Sequence, residues 1–560
     1  LAGGVRARGT CVAGGAATGK KSGFTHAVRV TCPLHAGFAT WVKEVQVFAY
    51  EPRLRIPVTF SSDPRSGFKS SSFTGISLDS LSRWPEHLGM GAIGDAEVVR
   101  AYGDVVRQEM LAMGLRVYLG PMADTLTEPR WSRGYGTFGE DVEAVASLTA
   151  AFIEGLRGGP ALGPHSVSAV VKHFPGAGPQ LRGNDAIDIR FPEQVYPGGL
   201  QDLHLKPFEA AFAAGASQVM LSYGLPLGTE WDETGFAFNA PVVQGLLRER
   251  YRFDGIVTTD WNVVGAEPFA GQMFGPIAHG MGDATLPERI SAALAAGVDQ
   301  FGGDTATEEV AALVRSGRIA EERLNQSVRR ILLEKFRLGL FESRYADVGR
   351  AEFVGTDARF RARGEQAQAA SLTPLHSDGT ATFPLPEGCR VYAEGVDLSS
   401  AGARLVEVSA PERAEVVLLR LEAPWESDPD SALGDGFHGG SLEFDGPTRA
   451  RVRDLAAHAP VILSVYLERP AILTDLIPDV ALLIADFGVS DAVLIDAVTG
   501  VVAMGGRLPV DLPRSAAAVE NSRTDVPFDT ERPLFRAGFR LDDVEKTGMF
   551  QKDKFRYRQP

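Results

Sequence analysis

Six short apolar runs in the first three hundred residues share one layout: aliphatic and β-branched positions in succession, then a polar side chain. Residues 56–60 lead to Asp63, 115–119 to Asp124, and 167–171 to Lys172 and His173. Likewise 218–221 lead to Tyr223, 256–259 to Asp260, and Val298 to Asp304. Runs without polar alternation are those of strands buried on both faces. Helical patterns lie between them, at 142–156 and 207–214. Strand and helix alternating in this way predict a (β/α)8-type barrel, whose strands present their carboxyl ends at one mouth.

Residues 305–341 read as long helices, and the pattern then breaks into Gly, Ser, Thr, Asp and Pro. From about 385 the rhythm resumes, with strands at 390–393, 415–421, 461–466 and 480–485 and a helix at 449–457. That is the signature of a smaller α/β sandwich around a doubly wound, mostly parallel sheet. The expected division is an N-terminal segment 1–50 that fits the barrel pattern poorly, a barrel 51–345, a linker 346–380, the sandwich 381–545 and a tail 546–560.

Composition narrows the class. The 560 residues are 44% hydrophobic and 23% charged, which is globular and long enough for more than one domain. The net charge of -15, with no basic block, argues against nucleic acid as a partner. Cys11, Cys32 and Cys389 are too few and too scattered for a disulfide framework or a metal cluster. No apolar run approaches the roughly 18 residues of a membrane span. The first 30 residues contain no apolar signal core, and the chain starts at Leu1. A leader removed on the way to periplasm or medium, and a cytoplasmic chain, both stay open.

The candidate chemistry sits at the strand ends. Gly255-Ile256-Val257-Thr258-Thr259-Asp260-Trp261 is a buried strand that stops at a carboxylate and an indole. Burying that charge is costly unless something uses it. The second sheet offers a similar edge in Leu421-Glu422-Ala423-Pro424-Trp425-Glu426. Two such edges place the expected pocket between the domains.

Five ordered motifs carry a resemblance to a known family. They are Glu128-Pro129-Arg130-Trp131-Ser132-Arg133 with Thr137-Phe138-Gly139-Glu140-Asp141, Val171-Lys172-His173-Phe174-Pro175-Gly176, Thr259-Asp260-Trp261, Gly297-Val298-Asp299, and Phe336-Arg337-Leu338-Gly339-Leu340-Phe341. Over roughly 50–545 the chain resembles glycoside hydrolase family 3, in its β-glucosidase branch. The resemblance implies that Asp260 is the nucleophile. It implies that Arg133, Lys172 and His173 hold sugar hydroxyls, that Asp63 grips the outer hydroxyls of the terminal sugar, and that Met220 and Tyr223 lie near the same subsite. Trp261 and Trp425 would offer apolar platforms to a sugar's C–H face. For the acid/base, the Arg420–Glu426 segment and the later Phe437-His438-Gly439-Gly440-Ser441 loop point to Glu426, with Glu422 in reserve. The implied reaction is exo-acting, configuration-retaining hydrolysis of an oligosaccharide or glycoside, without metal or cofactor and without nucleic-acid or membrane partner. Glucose and xylose both remain open as the terminal sugar, and so does homo-oligomerisation.

The N-acetylglucosaminidase branch does not fit, because Ala177-Gly178-Pro179-Gln180 and Asn184-Asp185-Ala186-Ile187 stand where its catalytic histidine motif belongs. Gly136 departs from the Glu many relatives carry there, and the chain ends too soon after Phe535 for a third domain. Structural readings stand beside the functional ones. Asp124, Asp141 and Asp299 suit caps, arginine partners or loop ties. Met220 and Cys389 suit the core, and 434–440 suits a plain loop or a flap. Two other classes remain: a Schiff-base lyase using Lys172, and a non-catalytic sugar-binding relative that has lost its acid.

Overall fold

The computed structural model describes residues 12–14, 29–31, 35–63, 81–269, 272–431 and 436–541. The expected tail 546–560, most of the segment 1–50 and residues 434–435 of the expected loop or flap 434–440 lie outside the described residues.

The six apolar runs of the first half become one all-parallel sheet. Its strands are β1 (Ser61–Ser62), β2 (Val117–Tyr118), β3 (Ser168–Phe174), β4 (Gln218–Leu221), β5 (Ile256–Trp261) and β6 (Gln300–Gly302). They pair in the order β6-β5-β4-β3-β2-β1, each strand beside its predecessor in the chain. Sequential parallel pairing with helices between is the wall of a (β/α) barrel. Six strands of that wall are present among the described residues, where the sequence pattern predicts an eightfold barrel. β1 is only two residues long and lies just beyond its apolar run, in step with Val117 and Tyr118.

Capping fixes where the surrounding helices start. Asp95 accepts from the backbone N–H of Glu97 at 2.8 Å and opens helix Ala96–Met113. Asp141 does the same for Val142–Arg157, its Oδ1 2.9 Å from the N–H of Glu143. The two helices pack together because each carries a glycine at the crossing. A Cβ on Gly103 would stand 2.5 Å from the Phe152 carbonyl, and one on Gly155 2.3 Å from that of Arg100. Asp299 is buried and paired with Arg248 at 2.7 Å and Arg330 at 3.0 Å, which ties the end of the wall to the long helix Glu321–Arg337.

The second sheet contains β7 (Thr373–Ser377), β8 (Cys389–Glu394), β9 (Leu405–Glu407), β10 (Val416–Glu422), β11 (Val461–Tyr466) and β12 (Leu482–Asp486). The order is β7-β12-β11-β10-β8-β9, parallel throughout except for β7 against β12. Alternate side chains of these strands enter two different cores, as a sheet covered on both faces requires. Leu418, Ile462 and Ile484 pack with Val493, Leu494 and Ile495 of helix Asp491–Val498. Leu419, Leu463 and Leu483 pack with Val452 and Leu455, and also with Leu88, Leu126 and Trp131 from the first domain. One hydrophobic core therefore runs across the junction between the domains.

Residues 346–380, expected as the linker, are largely regular structure. They hold helices Val348–Gly355 and Ala358–Ser371 and the edge strand β7. The second helix is built mainly of Ala, Arg, Gln and Gly, so no apolar stripe announces it; it is held by packing against helices His87–Ile93 and Asp491–Val498.

Candidate active site

β5 delivers Asp260 to the barrel mouth, where it is 7% exposed. Its Oδ1 accepts the backbone N–H of Trp261 at 2.7 Å. Its Oδ2 is buried and has no hydrogen-bond partner among the described residues. An unbonded buried carboxylate oxygen needs a reason, and a reactive role is one of the few available.

β3 ends in Lys172 and His173, whose side chains go to different partners. His173 Nδ1 lies 2.8 Å from Asp124 Oδ2, and its Nε2 lies 3.0 Å from the Arg133 guanidinium. A guanidinium only donates, so Nε2 accepts and Nδ1 carries the proton given to Asp124. In that tautomer His173 does not donate to Asp260, although Nε2 stands 3.8 Å from Oδ2. Asp124 also accepts the backbone N–H groups of His173 (3.1 Å) and Ala177 (2.6 Å). Burial opposes its charge, but the donors from His173 and Ala177 outweigh this and hold its carboxyl below the usual range. It is the loop tie expected from the sequence, and it also orients a site histidine.

Arg133 is the electrostatic centre of the mouth. Its Nε and second terminal nitrogen fork onto Asp185 at 2.6 and 2.9 Å. Asp185 takes a third bond from the Trp131 indole at 2.7 Å. Burial works against the guanidinium charge, yet Asp185 and Asp260 together push its pKa above the ordinary arginine value. Lys172 reaches the other way, donating to Asp63 at 2.8 Å. This pair sits in a cleft lined also by Glu86, His87, Tyr118 and Tyr135. The Tyr223 hydroxyl donates to the Trp261 carbonyl at 2.8 Å. Burial and the nearby Asp260 drive its pKa far up, so it remains a donor.

Met220 is 1% exposed and packs with Val117, Val170 and Trp261 inside the barrel. It packs against the residue that follows Asp260.

From the second domain, β10 ends at Glu422, which is exposed. Beyond it the chain turns through Trp425, stacked on His438 at 4.1 Å and nearly parallel, to Glu426. Glu426 is exposed too, and its backbone N–H donates to the Gly439 carbonyl at 3.0 Å. Two contacts bring this region to the barrel. Phe437 lies over the Arg133 guanidinium at 5.7 Å, and Asp428 pairs with Arg190 at 2.6 Å.

Several participants were not singled out from sequence. Asp185 lies in an irregular loop and Phe437 in another, so neither has a periodic signal. The only available cue was a buried-type residue, Trp131, two positions before Arg133.

A strand-end carboxylate beside a fixed guanidinium, in a barrel packed against a second α/β domain, suits a barrel glycoside hydrolase. Comparison with known proteins makes this specific. Residues 35–333 match the glycosyl hydrolase family 3 N terminal domain. The chain is 40% identical to beta-glucosidase C of Emericella nidulans over 509 residues, 90% of this chain and 82% of that protein. It is 36% identical to the periplasmic beta-glucosidase/beta-xylosidase of Dickeya chrysanthemi over 517 residues, 89% of this chain and 79% of that one. In structure it superposes on a β-glucosidase from Erythrobacter marinus with a TM-score of 0.76, at 20% identity, covering 91% of this chain and 75% of the other; that likeness speaks for the fold. The chain belongs to glycosyl hydrolase family 3.

Proposed function

We propose that the protein is an exo-acting, retaining β-glucosidase that removes terminal β-linked glucose from oligosaccharides or glycosides. Asp260 is the nucleophile and Glu426 the acid/base, supplied respectively by the barrel, 51–345, and the sandwich, 381–545. The observation that carries this reading is the Asp260 Oδ2, buried and unbonded at the end of β5.

Two carboxyl groups on opposite sides of the scissile bond suffice for the reaction. In the first step Asp260 Oδ2 bonds to the anomeric carbon while the bond from that carbon to the leaving oxygen breaks. Glu426 gives its proton to that oxygen. In the second step Glu426 takes a proton from water, whose oxygen displaces Asp260 from the anomeric carbon. Two inversions give net retention. Lys172 and Asp63 suit the outer hydroxyls, one as donor and one as acceptor. Arg133 and His173 suit the hydroxyl nearest the reacting carbon, since both stand beside Asp260. A charged fork fixed by Asp185 is already organised before substrate arrives, so little reorganisation is needed.

A second reading, β-xylosidase, is favoured by the Dickeya relative, which carries both names. A panel of nitrophenyl β-glycosides tests the choice, with the product anomer followed by NMR. Glucoside turnover with retained configuration supports the proposal. Preference for the xyloside moves the substrate, and an inverted product refutes the mechanism.

A further inference from the structure

Arg469, just after β11, is fully buried, and its guanidinium pairs with no carboxylate among the described residues. Its two terminal nitrogens, with four N–H groups between them, lie within 3.1 Å of five backbone carbonyls drawn from three segments, so one N–H is shared, while Nε has no partner among the described residues. One terminal nitrogen reaches Arg130 at 2.9 Å and Gly440 at 3.1 Å. The other reaches Pro424 at 2.6 Å, Gly439 at 2.8 Å and Ser441 at 3.0 Å. Pro424 lies two residues before Glu426, while 439–441 is the loop segment to which Glu426 pairs in an isolated antiparallel bridge through the Gly439 carbonyl. Arg130 belongs to the barrel segment that carries Arg133.

The neighbouring residues reinforce this arrangement. Glu468 is buried and holds His438 Nδ1 at 2.5 Å, and His438 in turn stacks on Trp425. Gly440 has φ of +82°, and a Cβ there would lie 2.4 Å from Glu426 Oε2 and 2.7 Å from its Cβ. The absence of a side chain at 440 thus sets where the Glu426 carboxyl can stand. Arginine suits the hub because its planar fork offers donors in fixed directions, whereas an ammonium has three.

We propose that Arg469 is a positioning residue for acid/base catalysis. It fixes the backbone on both sides of Glu426 and locks it to the segment bearing Arg133, so that the carboxyl meets the leaving oxygen over Asp260. Arg469 itself is sealed from substrate. The proposal rests on Glu426 being the acid/base. Burial lowers the guanidinium pKa to about 10, which leaves it charged at neutral pH.

The test compares kcat/KM on phenyl β-glucoside, whose leaving group needs a proton, with 2,4-dinitrophenyl β-glucoside, whose leaving group does not. Arg469→Lys, Gly440→Ala and Glu426→Gln are measured together, with folding checked by circular dichroism. Displacing a general acid forfeits part of a contribution of about 10²- to 10⁴-fold. Arg469→Lys is therefore expected to lose at least about 10-fold more activity on the phenyl than on the dinitrophenyl substrate. Should Arg469→Lys not fold, Gly440→Ala carries the test, with the same split expected. Equal losses on both substrates in the folded variant, or no loss, overturn the proposal. A split in Glu426→Gln without one in the Arg469 or Gly440 variant refutes the positioning role alone. No split in Glu426→Gln refutes the acid assignment, and the inference with it.

Discussion

The two halves of the site are built by opposite means. On the barrel side Asp260, His173 and Lys172 stand on strand ends, and their neighbours are charged groups locked in pairs: Asp124 on His173, Asp185 on Arg133, Asp63 on Lys172. On the sandwich side Glu426 is exposed, in an irregular segment, and its backbone surroundings are held by carbonyl bonds to one buried guanidinium. Strand ends fix a side chain through the sheet itself, whereas a loop needs a tether. The barrel side is accordingly expected to govern every substrate, and the sandwich side only those whose leaving group needs a proton.

The largest expected effect is at Asp260, the proposed nucleophile. Asp260→Asn is expected to lower kcat by about 10⁴-fold or more on both phenyl and dinitrophenyl glucosides, because no covalent step can start. Similar losses on the two substrates, measured at saturation, mark a barrel-side residue. Next comes Glu426→Gln, expected to cost about 10²- to 10³-fold on poor leaving groups. Added azide should rescue turnover of the dinitrophenyl substrate as the β-glycosyl azide; failure of rescue would place the acid elsewhere, with Glu422 the first alternative.

A smaller effect sharpens the barrel side. Arg133→Lys keeps the charge and loses the fork on Asp185, and is expected to lower kcat/KM by about 10- to 100-fold for all aryl glucosides alike. Asp124→Asn follows, at about 10-fold. An amide has one acceptor oxygen where the carboxylate takes three donors, so the His173 ring loses its fixed orientation. Loss confined to poor leaving groups in either variant would contradict the division of labour.

The smallest expected effect concerns a carboxylate outside the site. Glu109 is buried with the backbone N–H of Ser82 donating to it at 2.9 Å and no paired cation among the described residues, and burial raises its pKa from 4.5 to about 7. A raised folded-state value favours the protonated form. The native state is therefore most stable below about pH 4.5 with respect to this group, and loses that contribution as pH rises through 7. Glu109→Gln removes this dependence and should gain up to about 3 kcal/mol relative to wild type above pH 7, read as melting temperatures between pH 5 and 8.5. Asp124 and Asp185, which have donors or cations, carry the opposite shift.

What was legible in the sequence follows the same division. The middle strands of the barrel, β2 to β5, announced themselves because they are buried almost throughout, and their terminal polar residues converge because a parallel wall puts all carboxyl ends on one side. β7 was hidden: it is an antiparallel edge strand of five residues containing Pro374 and His376. The helix Ala358–Ser371 was hidden by its lack of an apolar stripe. Asp185 and Phe437 could not be placed because loop residues carry no period, and the Arg469 hub could not because it joins positions up to 339 residues apart through backbone carbonyls, which leave no mark in composition.

The central claim is that Asp260 forms a covalent bond to the sugar. The direct measurement is trapping with a 2-deoxy-2-fluoro-β-glucosyl fluoride, followed by mass spectrometry of the digested protein. One fluoroglucosyl adduct is expected, on the peptide containing Asp260 and absent from Asp260→Asn. An adduct on another carboxylate, or an active enzyme that never accumulates one, would contradict it.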